Sequence, residues 1–248
     1  MTTDGERRRP SGFGERTALL IGGGSGIGLE VARRVVDAGG NVILGGRTQS
    51  KLDAAVGELG TRARAALVDT SDAGSLAALV ADIEVVDAVL TTAAEYTTGS
   101  LRDLDEATAA TPFDSKFWGQ YRVVKAVLDR LAPDASIVLM SGAASVRPPG
   151  PAPAYVAANA AIEGLARGLA VELAPIRVNA IAPGTIDGSL WRSREESVRA
   201  AAFAQYGRDA LLGRPGTEAE IAEAVLYLFT NTYTTGSTLY PDGGYALR

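Results

Sequence analysis

Short apolar runs alternate with longer amphipathic stretches from Thr17 onward. The apolar runs are typical of buried strands and lie at residues 18–21, 41–44, 65–68, 88–91, 136–140 and 177–181. The amphipathic stretches have the spacing of helices and lie at residues 27–38, 50–59, 76–81, 112–131, 155–173 and 218–230. Because the two kinds of segment take turns, the pattern predicts a doubly wound α/β fold. This is a single domain of three layers, with one parallel sheet covered by helices on both faces.

Residues 1–14 precede this pattern, are polar and carry three consecutive arginines at positions 7–9. We interpret them as a flexible N-terminal tail, with the single domain spanning residues 15–248. The tail lacks the apolar segment of a signal peptide, and no run in the chain approaches the ~20 apolar residues that cross a bilayer. We therefore expect a cytoplasmic protein that does not bind membranes.

The amino-acid composition excludes several classes of partner and of active site. The 46% hydrophobic and 21% charged residues are typical of a globular protein, and the net charge of −5 argues against nucleic acid as a partner. The chain has no cysteine and no histidine, which excludes disulfides, Ser-His-Asp hydrolysis and the common metal sites, so we expect no metal. Catalysis must then use Tyr, Ser, Lys, Asp or Glu.

A glycine-rich loop follows the first predicted strand and opens the first predicted helix, with Gly22, Gly26 and Gly28 in the spacing G-x-x-x-G-x-G. Glycines allow a dinucleotide pyrophosphate to approach the backbone, and the helix N-terminus offers free N–H groups to it. The alternative is a merely flexible turn. The strand-loop-helix context favours a dinucleotide site.

The end of the second predicted strand indicates which dinucleotide is bound. An acidic side chain there would bind the ribose 2′-hydroxyl of NAD, but the sequence reads Gly45-Gly46-Arg47-Thr48. A guanidinium can instead bind the 2′-phosphate of NADP through charge-assisted hydrogen bonds. We therefore favour NADP(H) over NAD(H). The alternative for Arg47 is a solvent-exposed arginine at the start of a helix.

Five segments in order along the chain resemble the short-chain dehydrogenase/reductase family. The family's T-G-x-x-x-G-x-G appears as Ile21 to Gly28, with isoleucine for threonine, and its adenine-contacting Asp corresponds to Asp69. Its N-N-A-G is replaced by Thr91-Thr92-Ala93-Ala94, whereas residues 176–184 and 236–244 match its sixth strand with the nicotinamide-side loop and its last strand. The resemblance implies a Rossmann-like fold and cofactor contacts at Gly22, Ser25, Gly26, Ile27, Gly28, Arg47, Thr48, Asp69, Thr70, Ala93, Asn159, Pro183, Gly184, Thr185 and Ile186.

The family's active site is altered in this chain. Its Y-x-x-x-K runs from Tyr155 to Asn159, so the tyrosine is kept and the lysine becomes asparagine. Its asparagine on the preceding helix corresponds to Lys116, so the lysine and the asparagine have exchanged places. Its serine position holds a glycine, with Ser141 immediately before it and Ser145 three residues after it.

In the family's mechanism, hydride passes between nicotinamide and a carbonyl carbon while the tyrosine exchanges a proton with the carbonyl oxygen. A free phenol has a pKa of about 10, and a neighbouring ammonium lowers it. Asn159 carries no charge, although it can hydrogen-bond the cofactor ribose. Two hypotheses follow: Lys116 supplies the cation to an active enzyme, or the domain binds NADP(H) as an inert sensor or scaffold. We favour the first, because Tyr155 is kept and Lys116 offers an ammonium. The chain contains only three lysines among its 24 cationic residues, so a lysine at this position is suggestive.

The predicted function is therefore an NADP(H)-dependent oxidoreductase acting on a small ketone/secondary alcohol pair. Tyr155 would be the proton donor or acceptor, with Lys116, Ser141 and Asn159 as the other catalytic residues. The predicted helices at 112–131 and 155–173 resemble those through which the family forms homodimers or homotetramers.

Four further side chains on these predicted helices are not assigned to the active site. Trp118 and Tyr121 are interpreted as packing or subunit contacts, and Glu163 and Glu172 as solvent-exposed helix positions.

Overall fold

The computed structural model describes residues 13–248, so residues 1–12 of the predicted tail lie outside the described residues. Its strands are β1 (Thr17–Ile21), β2 (Asn41–Gly46), β3 (Ala63–Leu67), β4 (Val86–Thr91), β5 (Leu131–Met140), β6 (Arg177–Ile181), β7 (Ile186–Asp187), β8 (Gly216–Thr217) and β9 (Thr238–Leu239). Its α-helices are α1 (Gly26–Asp37), α2 (Gln49–Leu59), α3 (Ala73–Ala81), α4 (Glu106–Thr111), α5 (Trp118–Val127), α6 (Pro153–Glu172), α7 (Ser189–Arg192), α8 (Glu196–Asp209) and α9 (Glu218–Thr230). A π-helical turn, Pro112–Phe117, joins α4 to α5.

Seven strands form one parallel sheet in the order β3-β2-β1-β4-β5-β6-β9, and β7 pairs with β8 separately. The chain winds outward from β1 in one direction through β3 and then in the other from β4. The carboxyl ends of β1, β2 and β4 are in register, with Ile21 opposite Gly45 on one side and Thr91 on the other. The predicted doubly wound, three-layer fold is confirmed, and its ligand crevice is expected at this switch point.

Alternating side chains of the strands form two apolar cores, one on each face of the sheet. Ala18 and Leu20 of β1 pack in the core that α1 and α9 cover. Leu19 and Ile21 pack in the core that α5 and α6 cover. Burial on both faces explains why the strands are continuous apolar runs in the sequence.

The structured domain includes Phe13 and Gly14, so it begins two residues before the predicted boundary at residue 15. Phe13 is only 1% exposed, and its ring lies 6.0 Å from that of Phe229 on α9. The Gly14 N–H donates to the Ala38 carbonyl over 3.2 Å. A single aromatic residue next to a polar stretch gave no periodic signal, although its burial against α9 makes it part of the core.

Two predicted stretches differ in detail. The helix expected at 112–131 is interrupted: the π-helical turn precedes α5, and a 3-10 turn at Leu128–Arg130 leads directly into β5. Helix α8 was not predicted, because Tyr206 is its one fully buried residue and it shows no apolar stripe. Within residues 13–248, no helix combines the length and the apolar character that crossing a bilayer requires.

Candidate active site

The glycine loop between β1 and α1 forms a cradle that only glycines permit. Gly22 and Gly26 have φ angles of +89° and +60°, in the left-handed region that glycine favours. A Cβ at Gly28 would lie 2.3 Å from the Gly22 carbonyl oxygen. The first turn of α1 carries no acidic side chain, so its N–H groups are suited to an anion such as a pyrophosphate.

A cleft of about 360 Å³ extends from this loop along the carboxyl ends of the strands. Residues from the predicted cofactor set line it, namely Gly22, Ser25, Arg47, Thr48, Asp69, Thr70 and Ala93. Gly26, Ile27 and Gly28 form the adjoining first turn of α1, and Pro183, Gly184, Thr185 and Ile186 follow the end of β6. The cleft also includes polar residues that the sequence did not single out, namely Lys51, Ser71, Glu95, Asp114 and Ser115.

Arg47 forms an ion pair across this cleft with Glu95. Its Nη2 donates to Glu95 Oε2 over 2.7 Å, and both side chains are exposed. The hydrogen bond to Glu95 raises the pKa of Arg47, with a smaller contribution from the charge of Asp69. The guanidinium thus lies in the cleft, and a carboxylate already competes for it.

Lys116 lies on the π-helical turn with its ammonium inside the protein. The side chain is 5% exposed. Its Nζ donates to the Ser141 carbonyl over 2.8 Å and to Asn159 Oδ1. The same atom lies 5.3 Å from the ring centroid of Tyr155. The structure therefore brings the lysine and the tyrosine of the predicted pair together.

The two groups perturb each other's ionisation. Burial lowers the pKa of Lys116, while the charges of Tyr155 and Glu163 act to raise it. Burial acts to raise the pKa of Tyr155, but the ammonium of Lys116 and hydrogen bonds from Tyr96 and Asn159 outweigh it. The pKa of Tyr155 is therefore lowered, as a general base requires.

Asn159 positions Lys116 through its side-chain amide. The residue is 0% exposed, its Nδ2 donates to the Tyr155 carbonyl over 2.8 Å, and its Oδ1 accepts from Lys116. Both ends of the amide are used within the protein. The ribose contact proposed for Asn159 stays a prediction, beside the role in holding Lys116 that these bonds show.

The serine prediction is corrected. The Ser141 hydroxyl lies 3.0 Å from the Asn159 carbonyl and 2.9 Å from Glu163 Oε1, so it is not directed at the phenol of Tyr155. The position that faces this phenol is Gly142, where a Cβ would lie 3.5 Å from the Tyr155 hydroxyl. The Ser145 hydroxyl is buried without a hydrogen-bond partner within residues 13–248.

Glu163 was wrongly interpreted as a solvent-exposed position. It is 7% exposed, its Oε1 accepts from Ser141, and its Oε2 accepts from the Tyr240 hydroxyl over 2.7 Å. Tyr240, in the C-terminal segment, thus contacts α6 at this residue. A sequence signal existed, because Glu163 lies four residues after Asn159 and therefore on the same helix face.

Tyr96, which follows β4, is a site residue that sequence reasoning missed. Its ring stacks on that of Tyr155 with centroids 4.9 Å apart and planes 25° apart. Its hydroxyl donates to the Tyr155 hydroxyl over 3.4 Å. An aromatic residue just beyond the carboxyl end of a strand was the available signal.

The chain is similar to known oxidoreductases over almost its whole length. The family model described as enoyl-(acyl carrier protein) reductase matches residues 22–246. Galactitol 2-dehydrogenase (L-tagatose-forming) from Cereibacter sphaeroides is 35% identical over 243 residues, covering 93% of this chain and 94% of that protein. A 3-oxoacyl-acyl-carrier-protein reductase from Chlamydia muridarum is 31% identical over 245 residues, covering 93% of this chain and 97% of that protein.

Solved structures agree with these sequence relatives. A small-chain dehydrogenase in complex with NADPH superposes with a TM-score of 0.82 at 31% identity, covering 94% of this chain and 100% of that one. A short-chain dehydrogenase/reductase from Brucella melitensis superposes with a TM-score of 0.87 at 26% identity, covering 94% and 97% respectively. Because the family model matches residues 22–246 and these relatives and solved structures cover almost the whole chain, the chain belongs to the short-chain dehydrogenase/reductase family of oxidoreductases.

Proposed function

We propose that this protein is an NADP(H)-dependent oxidoreductase that interconverts a ketone and a secondary alcohol. The observation that carries this proposal is the buried ammonium of Lys116, which lies 5.3 Å from the ring centroid of Tyr155. Placing a charged group out of water is costly unless it is compensated. A buried cation beside a phenol is best explained by a need to stabilise the phenolate.

The residues present fit a nicotinamide dinucleotide, which when bound supplies or accepts the hydride. Gly22, Gly26 and Gly28 would hold the pyrophosphate against the N-terminus of α1, as their φ angles and close approaches indicate. Asp69, whose carboxylate accepts hydrogen bonds from the Ser71 N–H and hydroxyl, would lie on the adenine side. The cradle and the cleft together support this assignment.

Arg47 supports the preference for NADP(H). No acidic side chain ends β2, and the guanidinium of Arg47 lies in the cleft together with Lys51. Two cations that line the cleft suit a 2′-phosphate more than a 2′-hydroxyl. That a solved relative at 31% identity was captured with NADPH is in keeping with this choice.

Tyr155 carries the proton in the proposed reaction. In the direction of reduction, its hydroxyl gives a proton to the carbonyl oxygen, and Lys116 stabilises the phenolate that remains. In the direction of oxidation, the phenolate accepts the proton of the alcohol. Asn159 and the Ser141 carbonyl hold the ammonium in place throughout.

The test compares Tyr155→Phe with the wild type on a panel of carbonyls. The panel includes a ketohexose and a 3-oxoacyl thioester, the substrate types that the names of the two relatives give. We expect Tyr155→Phe to abolish turnover and to leave NADPH affinity, measured by calorimetry, nearly unchanged. The matched control is Tyr233→Phe, which alters a fully exposed tyrosine. Tight NADPH binding without turnover on any carbonyl would instead support the sensor or scaffold hypothesis.

A further inference from the structure

The hydroxyl of Tyr155 has a second phenol beside it. Tyr96 stacks on Tyr155 at 4.9 Å between ring centroids, and the two hydroxyls are 3.4 Å apart. Among the residues that the structure describes, Tyr96 is the one whose hydroxyl hydrogen-bonds that of Tyr155. A carbonyl oxygen that accepts the proton of Tyr155 must therefore approach the Tyr96 hydroxyl as well.

The other hydroxyl near this point is turned away. Ser141 is directed at Glu163 and the Asn159 carbonyl. Gly142, whose Cβ position faces the phenol, has no side chain to contribute. Ser145 makes no side-chain hydrogen bond within residues 13–248, so of these hydroxyls the one that contacts the phenol of Tyr155 is that of Tyr96.

We propose that Tyr96 is a catalytic residue whose phenol donates a hydrogen bond to the carbonyl oxygen of the substrate while Tyr155 transfers its proton there. This inference rests on the proposed function. In reduction, the O–H bond of Tyr155 breaks, the new O–H bond of the alcohol forms, and the carbonyl carbon is reduced by hydride from the cofactor. Tyr96 keeps its proton and only changes its acceptor, from the Tyr155 oxygen to the substrate oxygen.

The geometry suits this exchange of acceptors. A distance of 3.4 Å is long compared with the ~2.7–2.8 Å usual between two hydroxyls, so the bond between the phenols is weak and easily replaced. A donor aimed at a developing oxyanion in a site that excludes water has a large effect on rate. The stacked rings hold the two hydroxyls side by side, so that one oxygen can meet both.

The charges around the pair keep Tyr96 as the donor. Burial raises the pKa of Tyr96, the charge and hydrogen bond of Tyr155 raise it further, and Arg194 alone opposes them. Lys116 lies 5.9 Å from the Tyr96 ring centroid and 5.3 Å from that of Tyr155. Because the ammonium is nearer to Tyr155 and lowers its pKa, the phenolate forms on Tyr155 and the neutral phenol remains on Tyr96.

The test is Tyr96→Phe, which keeps the stacked ring and removes the hydroxyl. We expect kcat to fall by about 10²–10³-fold, the usual cost of removing one oxyanion donor, with KM and NADPH affinity nearly unchanged. Adding Gly142→Ser, whose Cβ would lie 3.2 Å from Asn159 Oδ1 and 3.5 Å from the Tyr155 hydroxyl, should recover part of kcat by bringing a new hydroxyl donor beside the phenol. Tyr233→Phe is the control. A wild-type kcat in Tyr96→Phe would overturn the proposal.

A second measurement separates failure of this inference from failure of the proposed function. The ultraviolet absorption of the phenolate is titrated in the wild type, in Tyr155→Phe and in Tyr96→Phe. The difference between the wild type and Tyr155→Phe assigns the signal of Tyr155 among the eight tyrosines. Loss of the Tyr96 donor should move that signal to higher pH, whether or not a substrate has been found. An unmoved signal contradicts the role of Tyr96, whereas a moved signal without turnover contradicts only the proposed function.

Discussion

Burying an ammonium costs free energy that nearby polar or charged groups must offset, and three groups do so for Lys116. The Ser141 carbonyl and Asn159 Oδ1 accept two of its three protons, and the charge of Glu163 favours its protonated form. Glu163 is itself held by Ser141 and Tyr240. At the scale of the residue, the cation that lowers the pKa of Tyr155 therefore depends on a carboxylate that does not touch it.

The first prediction concerns Glu163→Gln, which keeps the hydrogen-bonding shape and removes the charge. Without the carboxylate, burial should lower the pKa of Lys116 further and leave less ammonium beside Tyr155, so the pKa of the phenol should rise. The limb of alcohol oxidation that rises with pH should therefore move to higher pH, as a pH–rate profile with NADP⁺ measures. The control is Glu172→Gln, on the exposed face of the same helix. A limb that does not move would contradict this role.

The second prediction concerns Arg47. If it binds the 2′-phosphate, Arg47→Ala should weaken NADPH binding by about 1.5–3 kcal/mol, the scale of a hydrogen bond to a charged group, and barely change NADH binding. Glu95→Gln should have the opposite sign for NADPH, because it removes the carboxylate that now pairs with Arg47. Calorimetry measures both, with Arg102→Ala in an exposed loop as the control. Equal losses for the two cofactors would show that Arg47 does not select between them.

At the scale of the element, a π-helical turn supplies the critical lysine. Such turns are frequent at functional sites because they re-aim side chains relative to a regular helix. Just beyond it, Gln120 on α5 clamps the end of β5 by bonding both the N–H and the carbonyl of Met140. The clamp fixes the strand end that presents the Ser141 carbonyl to Lys116.

Elements could be predicted from the sequence wherever their own burial or backbone conformation explains their residue pattern. The strands are buried on both sides and read as apolar runs, and the glycine loop follows from backbone conformation. Glu163 and Tyr96 could not be placed in the same way. The spacing of Glu163 from Asn159 and the position of Tyr96 after β4 place each residue near the site, but their partners Tyr240 and Tyr155 lie far from them in sequence. Local periodicity does not record such contacts.

The third prediction tests the corrected start of the domain. Phe13→Ala should lower the free energy of unfolding by about 3–5 kcal/mol, because it empties a buried aromatic site against Phe229. Leu101→Ala, at a position that is 84% exposed, should change it by less than about 0.5 kcal/mol. Chemical denaturation measures both. A Phe13→Ala variant as stable as the control would return this residue to the tail.

At the scale of the whole molecule, the site joins parts of the chain that meet only at the carboxyl edge of the sheet. Tyr96 follows β4, Lys116 precedes α5, and Tyr155 lies in the first turn of α6. The homodimer or homotetramer predicted from the sequence stays a prediction, to which the exposed aromatic rings of Trp118 and Tyr121 on α5 are suited. The cofactor cleft, by contrast, lies within one chain.

The fourth prediction follows from that single-chain cleft. A ligand that binds only the folded state stabilises it by mass action, by about 2.7 kcal/mol at a concentration of 100 Kd. For a domain of this size, saturating NADPH should raise the melting temperature by about 5–10 °C. NADH at the same concentration should raise it less. An equal or larger shift with NADH would contradict the proposed cofactor preference.

The most direct measurement is the pH–rate profile of alcohol oxidation for the wild type, for Lys116→Met and for the double variant Lys116→Asn with Asn159→Lys. Without the ammonium, the pKa of Tyr155 should rise, so in Lys116→Met the limb should move to higher pH. The rate near neutral pH should then fall by about 10²–10⁴-fold, the usual contribution of a general acid–base group. The double variant returns a lysine to the position four residues after Tyr155 and should recover more activity than either single change. If Lys116→Met keeps the wild-type limb and rate, Lys116 is not the cation that activates Tyr155.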